Sequence, residues 1–198
     1  MKTRRFVTLS IAFALLAASA ARAQEPSKGF RAEFLGSQAY AEKQILGLAE
    51  AMPADKYGWR PAPGVRSVSE VYIHIATANY FIPGFAGMKP PAGLDKEMEK
   101  NVTEKSKVID ELKKSFAHLR AAVASLSDAE LDKPVKFFGN DSSVRGVLLT
   151  TQNHEYEHLG QSIAYARMNG VVPPWTAEQQ KRMKEETEKK PAEAPAKK

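Results

Sequence analysis

Apolar residues recur at three- and four-residue steps in four stretches of the chain, and segments rich in proline, glycine or charge separate those stretches. Phe30, Phe34, Ser37, Ala41, Ile45, Leu48 and Met52 share one face of a first helix, which Pro53 ends. Beyond a loop holding Gly58, Pro61, Pro63 and Gly64, Ser67 and Glu70 form an S-x-x-E capping box. That box predicts a second helix running to about Ile82, where Pro83 and Gly84 stop or kink it. Ile109, Leu112, Phe116, Leu119, Val123 and Leu126 define a third helix. Ser142 or Ser143 caps a fourth, which reaches about Asn169 and Gly170, with Pro173 and Pro174 as a stop beyond it. Residues 87–102, first rich in Pro and Gly and then charged, read as a long crossover loop between helices two and three. A polar connection begins at Asp128, and within it residues 133–138 allow one short extended piece. The expectation is an all-α fold, a four-helix bundle with a long crossover between helices two and three.

The two ends of the chain stand apart from this pattern. Lys2, Arg4 and Arg5 precede an apolar run from Phe6 to Ala20, and Ala21-Arg22-Ala23 resembles a small-x-small cleavage site. Residues 1–23 are therefore read as a secretory signal, too short and too rich in small residues for a membrane anchor, and the mature protein as exported, most simply to a bacterial periplasm. No transmembrane span is expected once the signal is removed. Residues 178–198 form a Lys/Glu/Ala/Pro tail, read as disordered at its end, which leaves residues 24–177 as one bundle domain.

Charge and cysteine content narrow the chemistry. The formal charge of +6 owes four of its 29 basic residues to the leader and several more to the tail, so the body is close to neutral and carries no electrostatic footprint for nucleic acid. With no cysteine, the chain excludes disulfides, a thiolate nucleophile and Cys-based metal sites.

Histidine placement carries the candidate chemistry. His154 and His158 are an i, i+4 pair, so a helix projects both imidazoles from one face. They belong to the seam Val147, Thr151, His154, His158, Gln161, Tyr165, Met168, while His74 belongs to the seam Ser67, Val71, His74, Ala78, Phe81, Phe85. Three neutral imidazoles inside a bundle need partners that apolar neighbours cannot supply, and a shared metal ion satisfies all three lone pairs. His118 falls about 140° from the centre of the third helix's apolar face and is expected in solvent, outside the site. Gln161 and Thr151 lie about 40° from the bisector of His154 and His158, and Tyr165 nearly on it. Gln161 and Tyr165 are accordingly the candidate catalytic residues, orienting a bound group. Glu155 and Glu157, about 80° to either side, read as solvated flank residues. Trp59, Tyr80, Phe81 and Phe85 read as core, with a pocket wall as the alternative.

Three stretches together resemble the DinB-like (damage-inducible) superfamily of four-helix-bundle metalloproteins: residues 67–76 around His74, the H-x-x-x-H-x-G-Q run from His154 to Gln161, and Ala164 to Gly170 with its Pro-Pro sequel. The resemblance spans nearly all of residues 30–175. It implies a bundle with an unusual connection between helices two and three, and a divalent metal such as zinc or nickel on His74, His154 and His158. It also implies metal-assisted hydrolysis or thiol S-transfer on a small molecule; export argues against the thiol branch. The opposing class is a non-catalytic metal-binding or interaction module of the cell envelope, and a homodimer is compatible with either.

His154 to His158 also spells H-E-x-x-H, the zincin protease motif with Glu155 as general base. Its context argues against a protease. The Gly and His of the extended motif fall on Gln161 and Ala164, a glutamate third ligand would have to come from Glu178 or beyond, and no sheet is expected to bind a peptide strand.

Overall fold

The computed structural model describes residues 28–189, so the signal read at 1–23 and the end of the tail lie outside the described residues. Four long helices dominate: α1 (Phe30–Ala51), α2 (Val68–Phe81), α4 (Lys105–Ser125) and α5 (Val144–Met168). Smaller elements are α3 (Met98–Asn101) in the crossover, a β1 (Pro134–Phe137) and β2 (Asn140–Ser143) hairpin before α5, and α6 (Pro174–Lys189).

Local chemistry sets these boundaries. The Ser67 box is fully formed: the Ser67 amide donates to Glu70 Oε2 at 2.7 Å and the Glu70 amide to Ser67 Oγ at 3.3 Å, satisfying two of the unpaired amides at the start of α2. Burial opposes the Glu70 charge, but the Ser67 amide and Arg60 outweigh it and hold the carboxyl below its ordinary range. Of the two candidate caps for α5 it is Ser143 that serves, its Oγ accepting from the Gly146 amide at 3.1 Å. The extended piece before it pairs as an antiparallel hairpin, turned by Phe138 and Gly139 at φ 47° and 85°, both left-handed as a two-residue type I′ turn requires.

Around the bundle the neighbours are α1–α4–α2–α5, so helices that follow one another in sequence, α1 and α2 or α4 and α5, lie diagonally across it. α2 and α4 lie side by side and run the same way, Asn79 meeting Ser115 and Tyr80 meeting His118, so the connection between them returns along the bundle as a crossover, and α2 and α5 are neighbours too. They run antiparallel: Val147 packs with Ala78 and Ile82 at one end, while Tyr165 reaches Arg66 at the other. Ile45, Leu48, Met52, Tyr72, Ile75, Leu112 and Phe116 are fully or almost fully buried in the main core, where truncating a large aliphatic side chain typically costs about 2–5 kcal/mol.

Several expectations need correction. Pro173 and Pro174 do more than stop α5, since Pro174 opens α6, where a missing amide is harmless and a fixed φ suits the helix. The charged stretch from Glu178 thus begins as helix and continues so to Lys189. The crossover is interrupted by α3, whose Met98 is buried. His118 is half-buried, because Tyr80 of α2 packs edge-on against its ring with centroids 5.3 Å apart. Met168, at the end of the α5 seam, is exposed. Among the described residues no helix is long and apolar enough to cross a membrane.

Candidate metal centre

The facing of α2 and α5 brings the three seam histidines together. His74 Nε2 and His154 Nε2 are 3.1 Å apart, and His154 Nε2 and His158 Nε2 3.2 Å apart. His158 is buried, and His74 and His154 are partly open to solvent. One nitrogen from each ring falls within a sphere that one ion could span.

Outer hydrogen bonds decide which nitrogen two of the three rings present, while His154 Nδ1 is buried with no hydrogen-bond partner among the described residues. His74 Nδ1–H donates to Glu99 Oε1 at 2.6 Å, and His158 Nδ1–H donates to Gln161 Oε1 at 2.8 Å. With Nδ1 acting as donor, Nε2 keeps its lone pair and faces the centre. Burial first, then the neighbouring His158 and His74, push the His154 pKa down to about 4, and burial likewise lowers that of His158, so both rings are neutral at pH 7. Neutral rings are ready ligands.

The donor set fits a divalent transition metal. Four ligands at about 2.0–2.1 Å in tetrahedral array lie about 3.3 Å from one another, close to the observed nitrogen separations. With His74 and His158 both presenting an Nε2 lone pair, an Nε2–H on His154 satisfies only one of them at a time, whereas one ion satisfies all three rings. An all-imidazole set suits zinc, nickel, copper or iron rather than magnesium or calcium, which prefer oxygen.

Gln161 bridges His158 and Tyr165, its Nε2 donating to Tyr165 Oη at 3.0 Å, and Tyr165 Oη donates to the Arg66 carbonyl at 3.1 Å. Trp59 stacks edge-on against Tyr165 at 5.3 Å, beside the centre. Phe81 and Phe85 instead join Phe137 and Phe138 in an aromatic cluster at the hairpin. The Thr151 hydroxyl donates to the Val147 carbonyl of its own helix at 3.0 Å. Glu157 is exposed, as expected.

Glu155 corrects the sequence reading. It is fully buried rather than solvated, and neither of its carboxyl oxygens has a hydrogen-bond partner among the described residues. Burial, then the nearby Glu42 of α1, raise its pKa well above the ordinary carboxylate value. Its side chain is therefore on the α1-facing side of α5, whereas His154 faces α2.

Two residues of the centre escape periodicity altogether. Glu99 lies on α3 and Arg66 just before α2, joined by a 2.9 Å ion pair between Arg66 Nε and Glu99 Oε2. Burial opposes the Glu99 charge, but Arg66 and His74 outweigh it and hold the carboxyl below its usual range.

A diagonally connected helical bundle with three histidines converging from two adjacent helices defines a DinB-type protein. The family model described as "DinB superfamily" matches residues 39–162, and the chain belongs to that superfamily. It is 24% identical over 127 residues to the uncharacterized protein YjoA of Bacillus subtilis (strain 168), covering 62% of this chain and 80% of that one. Among solved structures it is similar to a DinB-like protein from Bacillus cereus ATCC 10987, with a TM-score of 0.63 and 25% identity over 71% of this chain and 93% of the other. The fold is shared with Bacillus subtilis YjoA, at a TM-score of 0.58, 22% identity and coverage of 71% and 93%. A conserved protein from Enterococcus faecalis also shares it, at 0.59, 16%, 71% and 97%.

Proposed function

We propose that this protein holds one divalent transition metal ion, zinc or nickel, on the Nε2 atoms of His74, His154 and His158, and that it is a metal-dependent enzyme acting on a small molecule. The observation that carries the reading is that His154 Nε2 stands 3.1 Å from His74 Nε2 and 3.2 Å from His158 Nε2, about the edge length of a tetrahedral site, with His74 and His158 fixed from behind. Three protein ligands leave a position for water or substrate, and a metal held in this way supplies Lewis acidity and a bound water whose pKa falls to about 7.

The chain's own residues would do the rest. Glu99 and Gln161 hold the ligand rings, Tyr165 and Trp59 wall the side near His158, and the partial exposure of His74 and His154 leaves a solvent path. Gln161 and Tyr165, whose polar groups are engaged with His158, each other and the Arg66 carbonyl, would act on a bound group through the His158 ring they hold. The Glu155 position speaks against the zincin-like protease, because its carboxyl lies on the side of α5 away from His74. The same fact favours a second reading, a non-catalytic metal-binding or interaction module, since among the described residues the carboxylate at the centre is that of Glu99, which is engaged by His74 and Arg66. On the strength of the N-terminal 23 residues we place either form in the periplasm.

Cobalt substitution followed by azide titration tests the reading. An enzyme-like open site shifts the visible spectrum on adding azide, and a closed site does not. A panel of esters, lactones, amides and thiol-plus-electrophile pairs, with His158→Ala as control, then names the reaction class. No turnover across the panel would favour the binding module.

A further inference from the structure

His74 and His158 stand on different helices, yet the hydrogen bonds behind both rings lead to one residue. From His74 the path runs through the Glu99 carboxylate, 2.6 Å from Nδ1, to Arg66 Nε at 2.9 Å. From His158 it runs through Gln161 at 2.8 Å and Tyr165 at 3.0 Å to the Arg66 carbonyl at 3.1 Å. Every donor and acceptor along both paths is matched. Arg66 immediately precedes Ser67, whose capping box fixes the backbone there, so carbonyl and side chain both start from a rigid point. Glu99 lies on α3, which packs against α2 from within the crossover.

We propose that Glu99 and Arg66 are positioning residues of the metal centre, and that through them metal loading and docking of the crossover onto α2 form one linked equilibrium. The proposal rests on the metal-site reading above. For Nε2 of His74 to bind a metal, Nδ1 must carry the proton, and a carboxylate acceptor fixes that tautomer and makes the ring a better donor to the metal. Arg66 occupies the second carboxylate oxygen, which keeps Glu99 from turning toward solvent or toward the ion itself. If the Glu99 contact strengthens metal binding by some factor, a bound metal strengthens crossover docking by the same factor.

The test titrates zinc into the full chain against a chromophoric chelator, for the wild type, Glu99→Gln, Glu99→Ala, Arg66→Gln, the double variant and His74→Ala. It also measures amide exchange at residues 98–101 with and without zinc. Glu99→Ala should weaken zinc binding about 10- to 100-fold. Glu99→Gln should weaken it less, because an amide oxygen still accepts from Nδ1–H. Arg66→Gln should weaken binding although its side chain touches no ligand, and the double variant should be no worse than Glu99→Ala alone, since both act along one path. Zinc should slow exchange at 98–101 in the wild type and not in Glu99→Ala. Loss of zinc in His74→Ala with wild-type affinity in both Glu99→Ala and Arg66→Gln would overturn the positioning role, as would exchange at 98–101 that zinc leaves unchanged in the wild type. Wild-type affinity in His74→Ala would overturn the metal site itself.

Discussion

His74 Nε2 and His154 Nε2 lie 3.1 Å apart although 80 residues of sequence separate them. The core that packs α2 against α5 is built from apolar residues, Val71, Ile75, Leu159, Tyr165 and their neighbours, and not from the histidines. Stripping the metal should therefore lower the Tm and leave far-ultraviolet circular dichroism nearly unchanged, in contrast to small zinc domains that unfold without their ion. Loss of the helical signal on adding a chelator would make the metal structural and favour the non-enzyme reading.

Glu155 places an ionisable group in the core with no hydrogen-bond partner for either oxygen among the described residues. Its folded pKa is raised above the ordinary 4.5, so its stability contribution is complete below the unfolded carboxyl pKa and declines as pH rises above that toward the folded value. The isosteric Glu155→Gln should raise the Tm at pH 7–8, with a shift of about 2–4 °C for each kcal/mol recovered, and give no gain at pH 4. Thermal melts of the zinc-free proteins at both pH values check this; equal shifts at the two would show that ionisation is not the cause.

The capping box at Ser67 holds the start of the helix that carries His74. Ser67→Ala should cost about 1 kcal/mol, read from urea unfolding as a lower midpoint at constant slope. Because Arg66 adjoins the cap, the same variant should also loosen zinc binding, whereas a cap of purely local importance would leave affinity untouched.

Gln161 donates to Tyr165 and accepts from His158. Gln161→Ala should thus weaken zinc binding about tenfold or more. Tyr165→Phe, one bond further from the ligand, should change turnover more than affinity. Paired zinc titration and steady-state kinetics separate the two effects, and equal loss of affinity in both variants would contradict this ordering.

The legible and illegible parts of the molecule divide on physical grounds. Helix faces, the Ser67 cap and the three seam histidines were readable because each depends on spacing within one helix. Glu99 was not, since it meets His74 only through the crossover's path over α2, and no local pattern marks it within a charged loop. Glu155 misled because angular position on α5 does not tell which flank a neighbouring helix covers; α1 covers it. His118 misled in the same way, its flank being covered by Tyr80. The second hairpin strand, Asn140–Ser143, is polar throughout and offers no alternation to read. Pro174 reads as a terminator in the sequence yet begins α6, because one residue type both ends helices and begins them.

Metal content tests the central claim most directly. Wild type, His74→Ala and His118→Ala, loaded with zinc, freed of excess by gel filtration and measured by elemental analysis, should differ sharply: about one equivalent in the wild type and in His118→Ala, and most of it lost in His74→Ala, since an i, i+4 pair alone leaves two ligands. Full zinc occupancy in His74→Ala would contradict the account.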